Sequence, residues 1–120
     1  MKEVRVFLAH SIMHEAEEID QLITQCGQSL STRYPELQFR VTPGRDDWRE
    51  RMPVMGSWDA WCESVAGALP DGTPRYQWIV IPTAQHWPGA ATQKIAHHAA
   101  KAQRVVIAWN EWTDTVQPWA

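Results

Sequence analysis

Apolar residues follow two rhythms along this chain, and the switches between them mark alternating strands and helices. Val4-Arg5-Val6-Phe7-Leu8-Ala9 is a short, mostly apolar run and reads as a first, central strand. His10-Ser11 follows, and Ser11 is predicted to cap a helix. Within it Ile12, Ala16, Ile19, Leu22, Ile23, Cys26 and Leu30 recur at three- and four-residue steps. Glu15, Glu17 and Glu18 fall in the early turns, where carboxylates complement the helix dipole, and Pro35 stops the helix. Residues 37–42 alternate apolar with polar side chains, the pattern of an edge strand covered on one face.

Pro43-Gly44 turns the chain into a dense mixed-charge patch, Arg45-Asp46-Asp47-Trp48-Arg49-Glu50-Arg51, read as a surface loop or short helix. Such a segment closing over strand ends would bring a carboxylate or guanidinium to a ligand. Ser57 is predicted to cap a second helix, with Trp58, Trp61, Cys62, Val65, Ala68 and Leu69 on one face. That spacing assigns its tryptophans to the core. Pro70-Asp71-Gly72 ends it.

The run Trp78-Ile79-Val80-Ile81 and the run Val105-Val106-Ile107-Ala108-Trp109 bracket a Pro-Gly turn and a helical segment over residues 90–103. This is a β-α-β unit with parallel strands. With right-handed crossovers, the whole layout predicts one α/β domain over residues 1–120. The expected architecture is a flavodoxin-like three-layer sandwich, with a four-stranded, mainly parallel sheet in the order 2-1-3-4. Residues 110–120 show no period and are expected to form an irregular C-terminal tail, folded over the domain or reaching a second copy in a homo-oligomer.

Composition narrows this picture. Hydrophobic content of 44% and charged content of 21% suit a folded globule rather than a disordered chain. A net charge of −3 supplies no general attraction to nucleic acid or an anionic membrane, so neither is an expected partner. No signal peptide or membrane span is expected. Cys26 and Cys62 sit on apolar helix faces and read as buried free thiols in a reducing, cytoplasmic setting. Eight tryptophans predict an aromatic core and aromatic interfaces.

Open parallel sheets place ligands at the carboxyl ends of their strands. Here that edge carries Thr83, Gln85, His86, Trp87 and Gly89, with Gln93 one helical turn later. Gln93 and His97 are four apart and share a helix face, and His86 precedes the first turn. Together they form a candidate cluster beside free helix N-terminal amides, in which a neutral histidine moves a proton and an amide hydrogen-bonds a ribose or base. The alternative for His97-His98 is a solvated pair. His10, His14, His86, His97 and His98 lack a metal-ligating signature, and no metal or cofactor is expected. Glycine-rich phosphate loops, dinucleotide fingerprints and a serine-hydrolase elbow are absent from the sequence.

Val6-Phe7-Leu8-Ala9-His10-Ser11 resembles the first strand and loop of the nucleoside 2-deoxyribosyltransferase-like proteins and of the TIR domains. Residues 89–99, beginning Gly89-Ala90-Ala91-Thr92-Gln93, resemble the transferases' Gly-x-x-x-Glu-x-x-x-x-x-Ala segment, and Arg45-Asp46 resembles the TIR loop after the second strand. The resemblance implies a nucleoside or nucleotide ligand at His10, Ser11, Thr83, Gly89 and His97. It also implies glycosyl-bond chemistry centred on the helix glutamate. Gln93 stands at that position, and the aspartate often found after the third strand is replaced by Pro82-Thr83-Ala84-Gln85. Catalysis would then rely on Gln93 and His86 with a substitute acid, Asp46, Asp47 or Glu63. Three readings stand: a nucleoside- or nucleotide-binding member of this superfamily, a non-enzymatic interaction protein that keeps the fold, and a small α/β enzyme with His86 or His97 as general base.

Overall fold

The computed structural model describes residues 2–119. Its elements run β1 (Lys2–Leu8), α1 (Ala16–Arg33), β2 (Leu37–Pro43), α2 (Gly44–Met55), α3 (Trp58–Val65), β3 (Trp78–Pro82), α4 (Ala90–Lys101), β4 (Val105–Asn110) and β5 (Thr115–Pro118). The protein is α/β, with one mixed sheet ordered β2-β1-β3-β4-β5. β1, β2, β3 and β4 pair in parallel, and β5 pairs antiparallel to β4.

Alternation along the strands builds a core on each side of this sheet. Val4, Val6 and Leu8 of β1 and Val80 of β3 pack with Leu22, Cys26 and Leu30 of α1. Phe7, Ala9, Ile79 and Ile81 face the other way, against Trp61, Cys62 and Val65 of α3 and Ile95, Ala96 and Ala99 of α4. The chain moves from β1 outward to β2, then back across to β3 and onward to β4, so right-handed crossovers place α1 opposite α3 and α4. The direction reverses between β1 and β3. Ala9 N–H donates to Val80 O at 2.8 Å, and just beyond that point the two strands part.

Several expectations need correction. The sheet has five strands, not four, because residues 115–118 of the expected irregular tail form β5. Asn110 Oδ1 accepts the Trp112 and Thr113 amides, and Asp114 turns the chain at φ 53, so polar groups make the hairpin. Trp119 then donates its N–H to Val106 O and packs on the α3/α4 core; Ala120 lies outside the described residues.

The first helix begins at Ala16, not after Ser11. Glu15 and Glu18 form its capping box, while the Ser11 hydroxyl accepts from Met13 N–H in a separate turn. Ile12 therefore lies outside the helix and is 86% exposed. The mixed-charge patch is helical: Gly44–Met55 closes on Gly56, whose φ of 77 needs no β-carbon penalty. Ser57 caps α3 as expected, accepting from Ala60 N–H at 3.1 Å.

Candidate ligand-binding site

A cavity of about 670 Å³ opens where β1 and β3 part. Four pieces of chain make most of its wall, and Ala16 and Ile19 of α1 add to it. The loop after β1 contributes His10, Ser11, Ile12 and His14, and α2 contributes Gly44, Arg45, Trp48 and Arg49. Trp58 and Trp61 come from α3, and Gly89 through Thr92 form the amino end of α4. Phe7 and Ile95 make the floor. The size and mostly apolar walls suit a small organic ligand.

The amino end of α4 is open to such a ligand. Gly89 caps it without a side-chain hydrogen bond, and the first turn carries no acid. Among the described residues no protein group accepts from the Ala90, Ala91 or Thr92 amides. Gly89 keeps space clear at the cap, since a β-carbon there would meet nothing within 4 Å. The two guanidiniums differ. Arg45 is tied to Asp46 at 2.9 Å and Asp20 at 3.3 Å, whereas Arg49 has no acidic partner among the described residues. Trp48 and Trp58 lie with ring centroids 5.8 Å apart at a 30° tilt, and both remain partly exposed. Trp58 is thus a cavity-wall residue rather than the core residue its spacing predicts.

The histidines divide by hydrogen bonding. His10 Nδ1 donates to Ser11 O at 2.9 Å and Nε2 accepts from Arg45 N–H at 3.0 Å, so both nitrogens are used and the ring is neutral. Burial holds its pKa below the ordinary imidazole value, an effect the hydrogen bond to Ser11 opposes. His14 Nδ1 lies 3.1 Å from Ser11 N and 3.3 Å from Ser11 O; in the shorter contact it accepts from Ser11 N–H, the tautomer that carries its proton on Nε2. That atom is buried and has no partner, in a residue only 6% exposed. An unmet buried donor costs about 1–3 kcal/mol. Burial lowers the His14 pKa as well, and His86 adds to the effect with its ring edge-on at 4.6 Å.

The expected site residues are only partly gathered here. His10, Ser11 and Gly89 line the cavity, and His86 reaches its edge through His14. Gln93 is exposed on α4 and donates its amide back to Pro88 O at 3.1 Å, away from the lining. His97 is exposed beside His98. Thr83 bonds to Trp109 O through its N–H at 3.0 Å, outside the cavity. The next amides, Ala84 and Gln85, donate to the Glu111 carboxylate, so this loop is closed by the protein's own acid.

Asp46 is exposed and paired with Arg45. Asp47 is 4% exposed, but it faces the core side of α2. Its Oδ1 accepts from Trp61 Nε1 at 2.8 Å and Arg51 Nε at 2.9 Å, and Oδ2 accepts from the Tyr76 hydroxyl. Burial and this carboxylate together push the Tyr76 pKa up. Asp47 is a structural tie whose acceptors are filled. Glu63 is exposed on α3, and among the described residues no Asp or Glu lines the cavity.

His14, Thr92 and Glu111 were not expected at the site, whereas Arg49 belongs to the charged patch expected to bring a guanidinium to a ligand. Arg45, Trp48 and Arg49 recur at three- and four-residue steps, a helical signal hidden by the charge density. The inward face of α4 runs Thr92, Ile95, Ala96 and Ala99, which brings Thr92 to the cavity. No sequence pattern marks His14 or Glu111, whose partners are distant in the chain.

Neither a protein-family model, nor a curated protein, nor a solved structure matches this chain.

Proposed function

We propose that the chain is a nucleoside- or nucleotide-binding protein built as a flavodoxin-like three-layer sandwich, with its ligand in the cavity between the ends of β1 and β3. One observation carries the reading. The cavity sits where strand order reverses, with indole surfaces on one wall and positive or amide donors on others, and among the described residues no carboxylate lines it. An aromatic base packs on Trp58 and Trp48, and the polar part of the ligand meets Ser11, Thr92 and the α4 amides.

Breaking a glycosidic bond calls for a carboxylate at the sugar carbon, and among the described residues none lines this cavity. The proposed activity is therefore binding without base release. Cys26 and Cys62, both free and buried, fit a cytoplasmic setting, with burial pushing the Cys26 thiol up to about 12. Among the described residues no helix is long and apolar enough to cross a membrane.

Thermal unfolding against nucleosides, nucleotides and dinucleotides tests the proposal. A ligand at 100 times its Kd adds about 2.7 kcal/mol of stability, and the resulting rise in Tm should vanish in Trp58→Ala. An unmoved Tm across the whole panel would reject it. A second reading, an interaction or assembly protein, draws on Trp87 and Trp112, which are 76% and 73% exposed. Its signature is a mass by light scattering that exceeds one chain and falls when both tryptophans become serine.

A further inference from the structure

The unpartnered Nε2–H of His14 is the one buried polar group of the cavity wall that the reading above leaves unused. We propose that His14 recognises the oxyanion of a phosphorylated ligand, donating from Nε2 to a phosphoryl oxygen, so that nucleoside monophosphates are bound in preference to neutral nucleosides. The inference rests on the nucleotide reading and names the ligand class within it.

The argument is one of matching donors to acceptors. His14 lines the cavity, is 6% exposed, and spends Nδ1 on Ser11 N–H. Ser11 O, 3.3 Å from His14 Nδ1, already accepts from His10 Nδ1 and from His14 N–H, which favours the tautomer with the proton on Nε2. The proton on Nε2 thus lacks an acceptor among the described residues, and because the atom is covered in the free protein a ligand reaches it when the adjoining wall gives way. Around the same space stand Arg49, Arg45 and three free amides of α4, which are donors too. A hydroxyl entering such a space brings a proton that needs its own acceptor. A phosphoryl group brings acceptors, negative charge and, as a dianion, no donor.

Protonation of His14 is coupled to this binding. The ring faces His10 at 6.0 Å and His86 at 4.6 Å, and His86 opposes its charge. Glu18 of α1 and Glu111 beyond β4 favour that charge, but burial outweighs them and keeps the free ring neutral. An oxyanion at Nε2 favours the imidazolium, so affinity rises as pH falls. Phosphate monoesters themselves titrate near about pH 6, and a non-titrating side chain at position 14 separates the two contributions.

Calorimetric titration of adenosine, guanosine, cytidine and uridine and of their 5′-monophosphates tests the inference. In the wild type at least one monophosphate should bind about tenfold or more tightly than its nucleoside. His14→Phe should erase that gap. His14→Gln, which keeps an N–H donor, should retain part of it and lose the extra gain in affinity below pH 7. In the unmodified protein the His14 imidazole ¹⁵N resonance should move with the monophosphate and not with the nucleoside, which decides the matter even if a variant fails to fold. Equal binding of nucleoside and monophosphate would overturn the role of His14 and leave the nucleoside pocket standing. A gap that survives in His14→Phe, with the resonance unmoved in wild type, would give the phosphate to other donors and also overturn it. No binding by any of the eight compounds would remove this inference and the pocket together.

Discussion

Asp47 and Trp61 meet directly behind the cavity wall, with the indole Nε1 donating to Oδ1 at 2.8 Å. The bond ties α2 to α3. It therefore sets the position of Trp48 and Arg49 on one helix against Trp58 on the other. Asp47→Ala should lower stability by about 3–5 kcal/mol, because it strands the buried Trp61 and Tyr76 donors and leaves the half-buried Arg51 guanidinium with only Ser64 Oγ. Urea unfolding measures this. A loss below about 0.5 kcal/mol would mean that the carboxylate is not structural.

Glu111 should prove to be a clasp for the loop after β3. Its Oε1 accepts from Ala84 N–H at 2.7 Å, and Oε2 accepts from Gln85 N–H. Glu111→Ala should cost about 1–3 kcal/mol and raise amide hydrogen exchange at Ala84 and Gln85. Unchanged exchange at both amides would show that the loop holds itself.

Acid should destabilise the ligand-free protein through its buried histidines. Burial lowers the folded-state pKa of both His10 and His14 below the ordinary value of 6.5. The unfolded chain then binds more protons below that pH, so stability is complete above about 6.5 and falls as pH drops towards the folded values. His14→Gln should flatten the decline in Tm between about pH 7 and pH 5. An equally steep decline in the variant would place the titrating group elsewhere.

Gln93→Glu should not create base release. Gln93 turns back to Pro88 O on the exposed side of α4, so a carboxylate there would sit outside the cavity. Chromatography of nucleoside incubations with the variant checks this, and the appearance of free base would contradict the placement.

Deleting residues 113–120 should cost the domain stability before it affects assembly. The deletion removes β5 and with it Asp114, whose Oδ1 accepts from Ser29 Oγ at 2.6 Å and Trp109 Nε1 at 3.0 Å. A lowered urea midpoint is expected, and an unchanged one would show β5 to be dispensable.

The strands that build the core were legible because each carries its own pattern. β1, β3 and β4 are apolar runs covered on two faces, and β2 alternates as an edge strand does. β5 was not legible, since Thr-Val-Gln-Pro is mostly exposed and its turn is made by the Asn110 side chain and the left-handed Asp114. Ser11 misled for a physical reason: a serine hydroxyl serves a short turn as readily as a helix cap, and here it takes Met13 N–H. A cavity at the carboxyl ends of the strands was expected from their direction, although Thr83, Gln85 and Gln93, expected there, stand outside it. Its full lining was not legible, because Thr92 is set by the rotation of α4 and His14 by a turn that no periodicity records.

The hairpin that closes the sheet also governs how copies of the chain can meet. β5 is four residues long and ends on Pro118, which has no N–H to offer. A growing β-ladder needs a longer row of free amides, so this margin is a poor template for strand addition. Polymerisation through the sheet is disfavoured there, and concentrated protein should resist fibril growth from that side. Contacts between molecules fall instead to side-chain surfaces, such as the exposed Trp87 ahead of α4 and Trp112 at the hairpin turn.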